Sequence, residues 1–337
     1  MHKIGKPVRA ISGIQYDQIP SEILTSDEPI LLKGLVAQWP AVQAGLASED
    51  EMAAYLKALY SGSKVVLYRC DKEKSGRYFY DDDYRGLGFE SEVTSLEKVL
   101  DTLVAAKESA DLGNYYVGST TVDECLPLFR EKNPMTIGEQ NPLVSIWLGN
   151  ASRIAAHFDA PDNLACCVAG HRTFTLFPIE QIDNLYVGPI DLTPSGQMIS
   201  TVDFKNPDFE KHPKFKQAIE HALVAEMEPG DALMLPSMWW HHVESHDTFN
   251  VLVNYWWRAA SNLMDAPINL IYHAILTLRD LPEREKKAWK TVLDHFIFDD
   301  QTSKYNHIPK PAQGILGELD EMNARRIRSL LLNKLNR

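Results

Sequence analysis

At 337 residues, with 45% hydrophobic and 24% charged side chains, the chain has the balance of a globular protein that buries a large core. A formal net charge of −12 sets its surface against phosphate backbones, and no apolar run nears the ~18 residues that span a bilayer. Neither nucleic acid nor membrane is therefore an expected partner.

The opening residues Met1 to Pro7 lack the apolar stretch of a signal peptide. Cys70, Cys125, Cys166 and Cys167 form no CxxC pair, so neither a disulfide framework nor a thiolate zinc site is expected. The expected setting is the reducing cytoplasm.

Three zones follow one another. Residues 1–112 mix helix and strand, as an α+β region packed on the core. Pro29 to Gly34 is a short apolar run that Gly ends, the pattern of a buried strand. Ser48 with Glu51 predicts a capping box ahead of Met52, Tyr55, Leu56 and Leu59. Thr94 with Glu97 predicts another, ahead of Leu96, Val99, Leu100 and Leu103.

Residues 113–258 are strand-rich. Strands are expected at 144–149, 164–168, 173–177, 232–236 and 249–257, with Gly and Pro between them. Many short punctuated strands point to a sandwich or barrel. In the last of them, Val251 and Val253 alternate with Asn250, Leu252 and Asn254. The polar stretch from Asp191 to Lys216 reads as an insertion between strands. Residues 259–337 turn helical, with one apolar helix after Pro267 and a second apolar stretch from Ile315 to Leu335. A helical pair this apolar must bury itself against its own domain or another chain.

Two clusters carry chemistry. In Ala156-His157-Phe158-Asp159, side chains two apart on a strand share a face, with Cα atoms roughly 7 Å apart. An imidazole and a carboxylate at that spacing can converge on one ion but need a third ligand. Trp239-Trp240-His241-His242-Val243-Glu244 supplies it after the turn Pro229-Gly230-Asp231. Two histidines and one carboxylate form the facial triad that holds iron(II) and leaves other positions open. His241, His242 and His246 compete for the third place. On a strand only one of the adjacent pair points inward.

This text resembles the JmjC-type, cupin-like hydroxylases, and among them most the asparaginyl hydroxylases. The likeness runs through His157-Phe158-Asp159, Asn163-Leu164, Gly170-His171-Arg172, Leu176-Phe177-Pro178, Asn184-Leu185-Tyr186, Val202-Asp203-Phe204, Pro229-Gly230-Asp231, Trp239 to Ser245 and Val253-Asn254-Tyr255-Trp256. The resemblance implies a mainly β fold with flanking helices, a double-stranded β-helix (jelly roll) with C-terminal helices that dimerise. It implies iron(II) held by His157, Asp159 and His241, and so prefers His241 to His242. It also implies 2-oxoglutarate as cosubstrate, bound among Tyr116 (Tyr115 being the near miss), Asn163, Arg172 and Asn254.

Two positions depart from the family pattern. Arg172 stands where lysine is usual; it keeps the charge but changes reach. Ile154 stands where a threonine hydroxyl is usual, and a lost hydrogen bond to a charged group is worth roughly 1.5–3 kcal/mol. Trp239, Trp240 and Trp256-Trp257 read as packing. The segment Tyr78 to Asp83 reads first as an acidic, aromatic loop, with a substrate entrance suited to a basic peptide as the alternative.

The reading is an iron(II)- and 2-oxoglutarate-dependent oxygenase that hydroxylates a C–H bond of a protein, peptide or small molecule, as a homodimer. Its alternatives are another metal-dependent cupin, an isomerase or a 2-oxoglutarate-independent dioxygenase, and a non-catalytic binding module.

Overall fold

A computed structural model describes residues 5–106, 113–194, 196–301 and 303–336. Met1 to Ile4 and the expected zone boundary at residue 112 lie outside them. The chain divides into two compact units, Met1–Trp257 and Arg258–Arg337.

The first unit is mainly β, with two mixed sheets. Eight strands make a jelly roll. Leu223–Met227, Arg172–Phe177, Trp240–Ser245 and Ser152–His157 lie side by side in one sheet. Ala232–Leu235, Asp162–Ala169, Asn250–Trp257 and Leu143–Gly149 do so in the other. Asn114–Thr121, Lys64–Cys70 and the edge strand Glu90–Ser95 extend the second sheet on one side. Ile30–Lys33 and Arg9–Ser12 extend it on the other.

Gly170 and His171 connect Asp162–Ala169 to Arg172–Phe177. Gly170 sits at φ +72°, and a Cβ there would meet Asn250 Oδ1 at 2.3 Å, so only glycine fits this turn. In the turn before Ala232, the Asp231 carboxylate accepts from the backbone N–H of Gly34 and of Glu228.

The main apolar core lies between the second sheet and the helices Pro40–Ala47, Glu49–Leu59 and Leu96–Ala106. The Ser48 hydroxyl accepts from Glu51 N–H, as expected. The second cap differs. Thr94 ends up buried in the Glu90–Ser95 strand, and the Ser95 hydroxyl accepts from Lys98 N–H. The alternation expected in Asn250–Trp257 separates two buried environments rather than inside from outside. Val251, Val253 and Tyr255 join the main core, while Leu252, Asn254 and Trp256 turn to the opposite face.

The stretch between Phe177 and Leu223 folds back over the first sheet. Ser200 N–H donates to Ala156 O at 2.7 Å, and Ile199 bridges His157. The Asp203 carboxylate pairs with Arg153, which also donates to Lys74 O and Ser75 O.

The second unit holds the helices Ile268–Thr277, Glu283–Leu293 and Glu321–Leu335. Glu283–Leu293 was not expected, because its sequence is mostly charged. Asp320 caps the last helix by accepting from Asn323 N–H. Among the described residues of these helices only Ala324 is buried. Leu270, Ile271, Leu276, Leu330 and Leu331 are exposed. No helix among the described residues is long and apolar enough to cross a membrane.

Candidate metal centre and its cavity

The strands Ser152–His157 and Trp240–Ser245 run antiparallel, with His241 directly opposite His157. Cross-strand partners bring side chains within reach of each other, so two residues eighty-odd positions apart become neighbours. Their rings lie 4.2 Å apart between centroids. Asp159 follows just past the strand end, and His241 Nε2 approaches its Oδ2 at 3.7 Å. One ligand atom from each of His157, Asp159 and His241 lies within 4.8 Å of the others.

The pairing slips beside this site. His242 alone faces Ala155 and Ala156 before the register resumes at Val243 and Ile154. Such a bulge re-aims side chains at the mouth of a barrel.

These residues fit a metal ion on a further count. His157 Nδ1 lies 2.9 Å from Ala155 O, and His241 Nδ1 lies 3.0 Å from Trp239 O. A ring whose Nδ1–H donates to a carbonyl presents a bare Nε2, the arrangement that orients imidazole ligands. Burial, and next the neighbouring His157, push His241 down to about 4, so its imidazole is neutral at neutral pH.

The competing histidines go elsewhere. His242 Nε2 lies 3.2 Å from Glu244 Oε1, with its ring against Phe204. His246 bonds the Thr173 hydroxyl.

All three ligands line one cavity of about 660 Å³, and so do Tyr116, Asn163, Arg172, Asn254 and Ile154. Arg172 is buried, its Nε has no partner, and no carboxylate among the described residues pairs with it. The groups that meet it are the Cys167 thiol and the Tyr116 phenol. Burial pulls its pKa down, and burial pushes that of Tyr116 up. A buried cation without an anion is costly, so this pocket is built for an anionic ligand. Asn254 Nδ2 donates to Asn163 Oδ1 at 3.2 Å, and Trp147 Nε1 donates to Asn254 Oδ1 at 2.6 Å. Tyr115, the near miss, packs in the main core.

Several lining residues were not foreseen. Ser245 is the register partner of Arg172 and Ser152 that of Ser245, a row across three strands. Period two from His241 through Val243 to Ser245 is the signal that would have found the first of these. Trp147 and Trp256 also line the cavity, so Trp256 belongs to the site rather than to packing alone. Of the acidic segment only Tyr78 reaches the lining. Asp81 and Asp83 instead accept from Arg85 N–H within their own turn, the acidic loop read first for this segment, and their carboxylates are not on the described cavity lining.

A model of the cupin-like domain matches residues 17–263. Lysine-specific demethylase JMJ31 of Arabidopsis thaliana is 31% identical over 117 residues, covering 34% of this chain and 21% of that protein. JmjC domain-containing protein F of Dictyostelium discoideum is 37% identical over 123 residues, covering 33% and 26%. tRNA wybutosine-synthesizing protein 5 of Gallus gallus is 31% identical over 146 residues, covering 38% and 42%. The chain thus spans less than half the length of each of these relatives.

Proposed function

The chain belongs to the cupin-like domain family, and from that premise we propose that it is an iron(II)- and 2-oxoglutarate-dependent oxygenase that hydroxylates a C–H bond. The observation that carries this reading is a pairing inside one cavity. A His-Asp-His group of metal-binding size stands beside a buried guanidinium that lacks a carboxylate. A divalent metal and a dicarboxylate together satisfy both.

His157, Asp159 and His241 would hold the iron, which supplies oxygen activation coupled to decarboxylation of 2-oxoglutarate. The chain's own groups bind and orient. Arg172 receives the far carboxylate, with the Tyr116 hydroxyl beside it. Ser245 and Ser152, in register with Arg172, offer hydroxyls on the face where Ile154 has none. The Asn163–Asn254 pair gives the cavity a fixed polar edge, and the folded-back segment at Ile199 helps exclude water.

The test is succinate formation from 2-oxoglutarate that depends on added iron(II), with or without a second substrate. No turnover, and no 2-oxoglutarate binding at millimolar concentration, would defeat the cosubstrate assignment. A cupin metalloenzyme that does not use 2-oxoglutarate draws its support from Ile154. It predicts metal binding without 2-oxoglutarate binding.

The relatives' names, one for lysine demethylation and one for wybutosine synthesis in tRNA, point to different substrates, so family membership does not choose one. The likeness to asparaginyl hydroxylases puts a side-chain amide of a protein among the first candidates to assay. Apolar exposure on Ile268–Thr277 and Glu321–Leu335 supports a homodimer formed through these helices. Light scattering after size exclusion should give twice the chain mass, and Leu331→Glu should shift it toward monomer. A wild-type monomer at micromolar concentration sinks that reading.

A further inference from the structure

Beyond the metal and the guanidinium, the cavity wall is aromatic and uncharged. Phe89 packs edge-on against both Tyr68 and Tyr78, each at 5.5 Å between centroids. Tyr78 and Tyr68 neighbour Tyr116, which in turn stacks near Trp147 at 6.2 Å, and Trp147 meets Trp256 edge-on at 5.7 Å. These six rings form a continuous band that lines the cavity together with Arg172 and the His-Asp-His group.

Apart from those four residues, the charged side chains on the lining among the described residues are Lys64 and Glu124, both exposed and of opposite sign. Between them and the metal group the described lining offers rings, aliphatic side chains, neutral hydroxyls and the carboxamides of Asn163, Asn254 and Gln197.

We propose that the group delivered to the metal is uncharged, held against this band of rings. The proposal rests on the oxygenase reading for the chemistry done to that group. A substrate cation finds rings to attract it. It also loses its water, and among the described residues it finds only one inner carboxylate, that of Asp159, which is committed to the metal. A substrate anion faces the opposite problem, because Arg172 is taken by the cosubstrate and no second inner cation among the described residues lines the wall. A neutral group keeps the dispersion and ring contacts without an uncompensated charge. This disfavours the basic-peptide entrance suggested by the acidic segment, at least for the residue that is oxidised.

The test uses the full chain loaded with Mn(II) and saturating 2-oxoglutarate, probed by ligand-observed NMR with benzyl alcohol, benzylammonium and benzoate. Relaxation enhancement by Mn(II), absent with Zn(II), reports that a probe lies near the metal. Benzyl alcohol should bind about tenfold or more tightly than either ion, and Tyr68→Ala and Phe89→Ala should each weaken it about threefold or more. An ion that matches or exceeds the alcohol near the metal overturns the proposal. So does absence of alcohol binding in protein that retains Mn(II) and 2-oxoglutarate. Separate metal and 2-oxoglutarate titrations keep the two readings distinct. Selective alcohol binding in a protein that takes up neither would uphold the uncharged cavity and remove the oxygenase.

Discussion

The second sheet turns two unlike faces to two unlike surroundings. On one face Ile146, Leu148, Val251, Val253 and Tyr255 pack into the main core, with no charged side chain among them. On the other, Trp147, Asn163, Asn254 and Trp256 line the cavity that holds the metal group and an unpaired guanidinium. Both faces are withdrawn from water, so burial alone does not distinguish core from site. What distinguishes them is whether charged and metal-binding groups are left to be satisfied. The core face carries no charge and leaves one buried hydroxyl, that of Tyr255, without a partner, whereas the cavity leaves a cationic Nε on Arg172 and the His-Asp-His group to be completed by ligands.

Substitutions can break this contrast, beginning with the largest effect. His157→Ala or Asp159→Ala removes one of three ligands and should reduce iron-dependent succinate formation to background; full activity in either variant would refute the triad. Arg172→Gln should raise the 2-oxoglutarate concentration needed for half-maximal turnover about tenfold to a hundredfold, the worth of charge-assisted hydrogen bonds. An unchanged value would mean the guanidinium serves something else.

Ile146→Ala acts on the other face. It should cost ~2–5 kcal/mol of stability in denaturant unfolding while leaving 2-oxoglutarate affinity as it was. Ile154→Thr should restore a hydroxyl and tighten 2-oxoglutarate by about tenfold at most; a larger gain would mean that Ser245 and Ser152 do not cover for it, and weaker binding would mean that residue 154 does not face the cosubstrate.

The smallest effect is one of pH. His241 is held at about 4 against an ordinary 6.5. Between those values the unfolded chain takes up a proton that the folded, metal-free protein refuses. This contribution to stability is therefore complete above pH 6.5 and is lost as pH falls toward 4. The Tm of metal-free protein should fall across that window, and fall less in His241→Asn. Equal slopes would dismiss the account.

Much of the site was readable from local text. His157 and Asp159 share a strand face by period two, and the second histidine cluster follows a Pro-Gly-Asp turn. Spacing could not choose His241 over His242, since the choice depends on which residue faces His157 across a bulged pair. Ser245 was within reach of the period-two pattern that starts at His241, but Ser152 was not, because nothing in its segment names the strand it pairs with. Thr94 failed as a helix cap because the Glu90–Ser95 strand runs one residue further and hands the role to Ser95.

From its amino acids alone, this chain declared which segments become strands, where the turns fall and which residue types are fit to hold a metal and a carboxylate, because such preferences act over a few residues. Tertiary structure decided which of those residues meet. Register, sheet order and the unpaired state of Arg172 depend on strands far apart in sequence, and the free energy of a buried charge is set by everything that surrounds it.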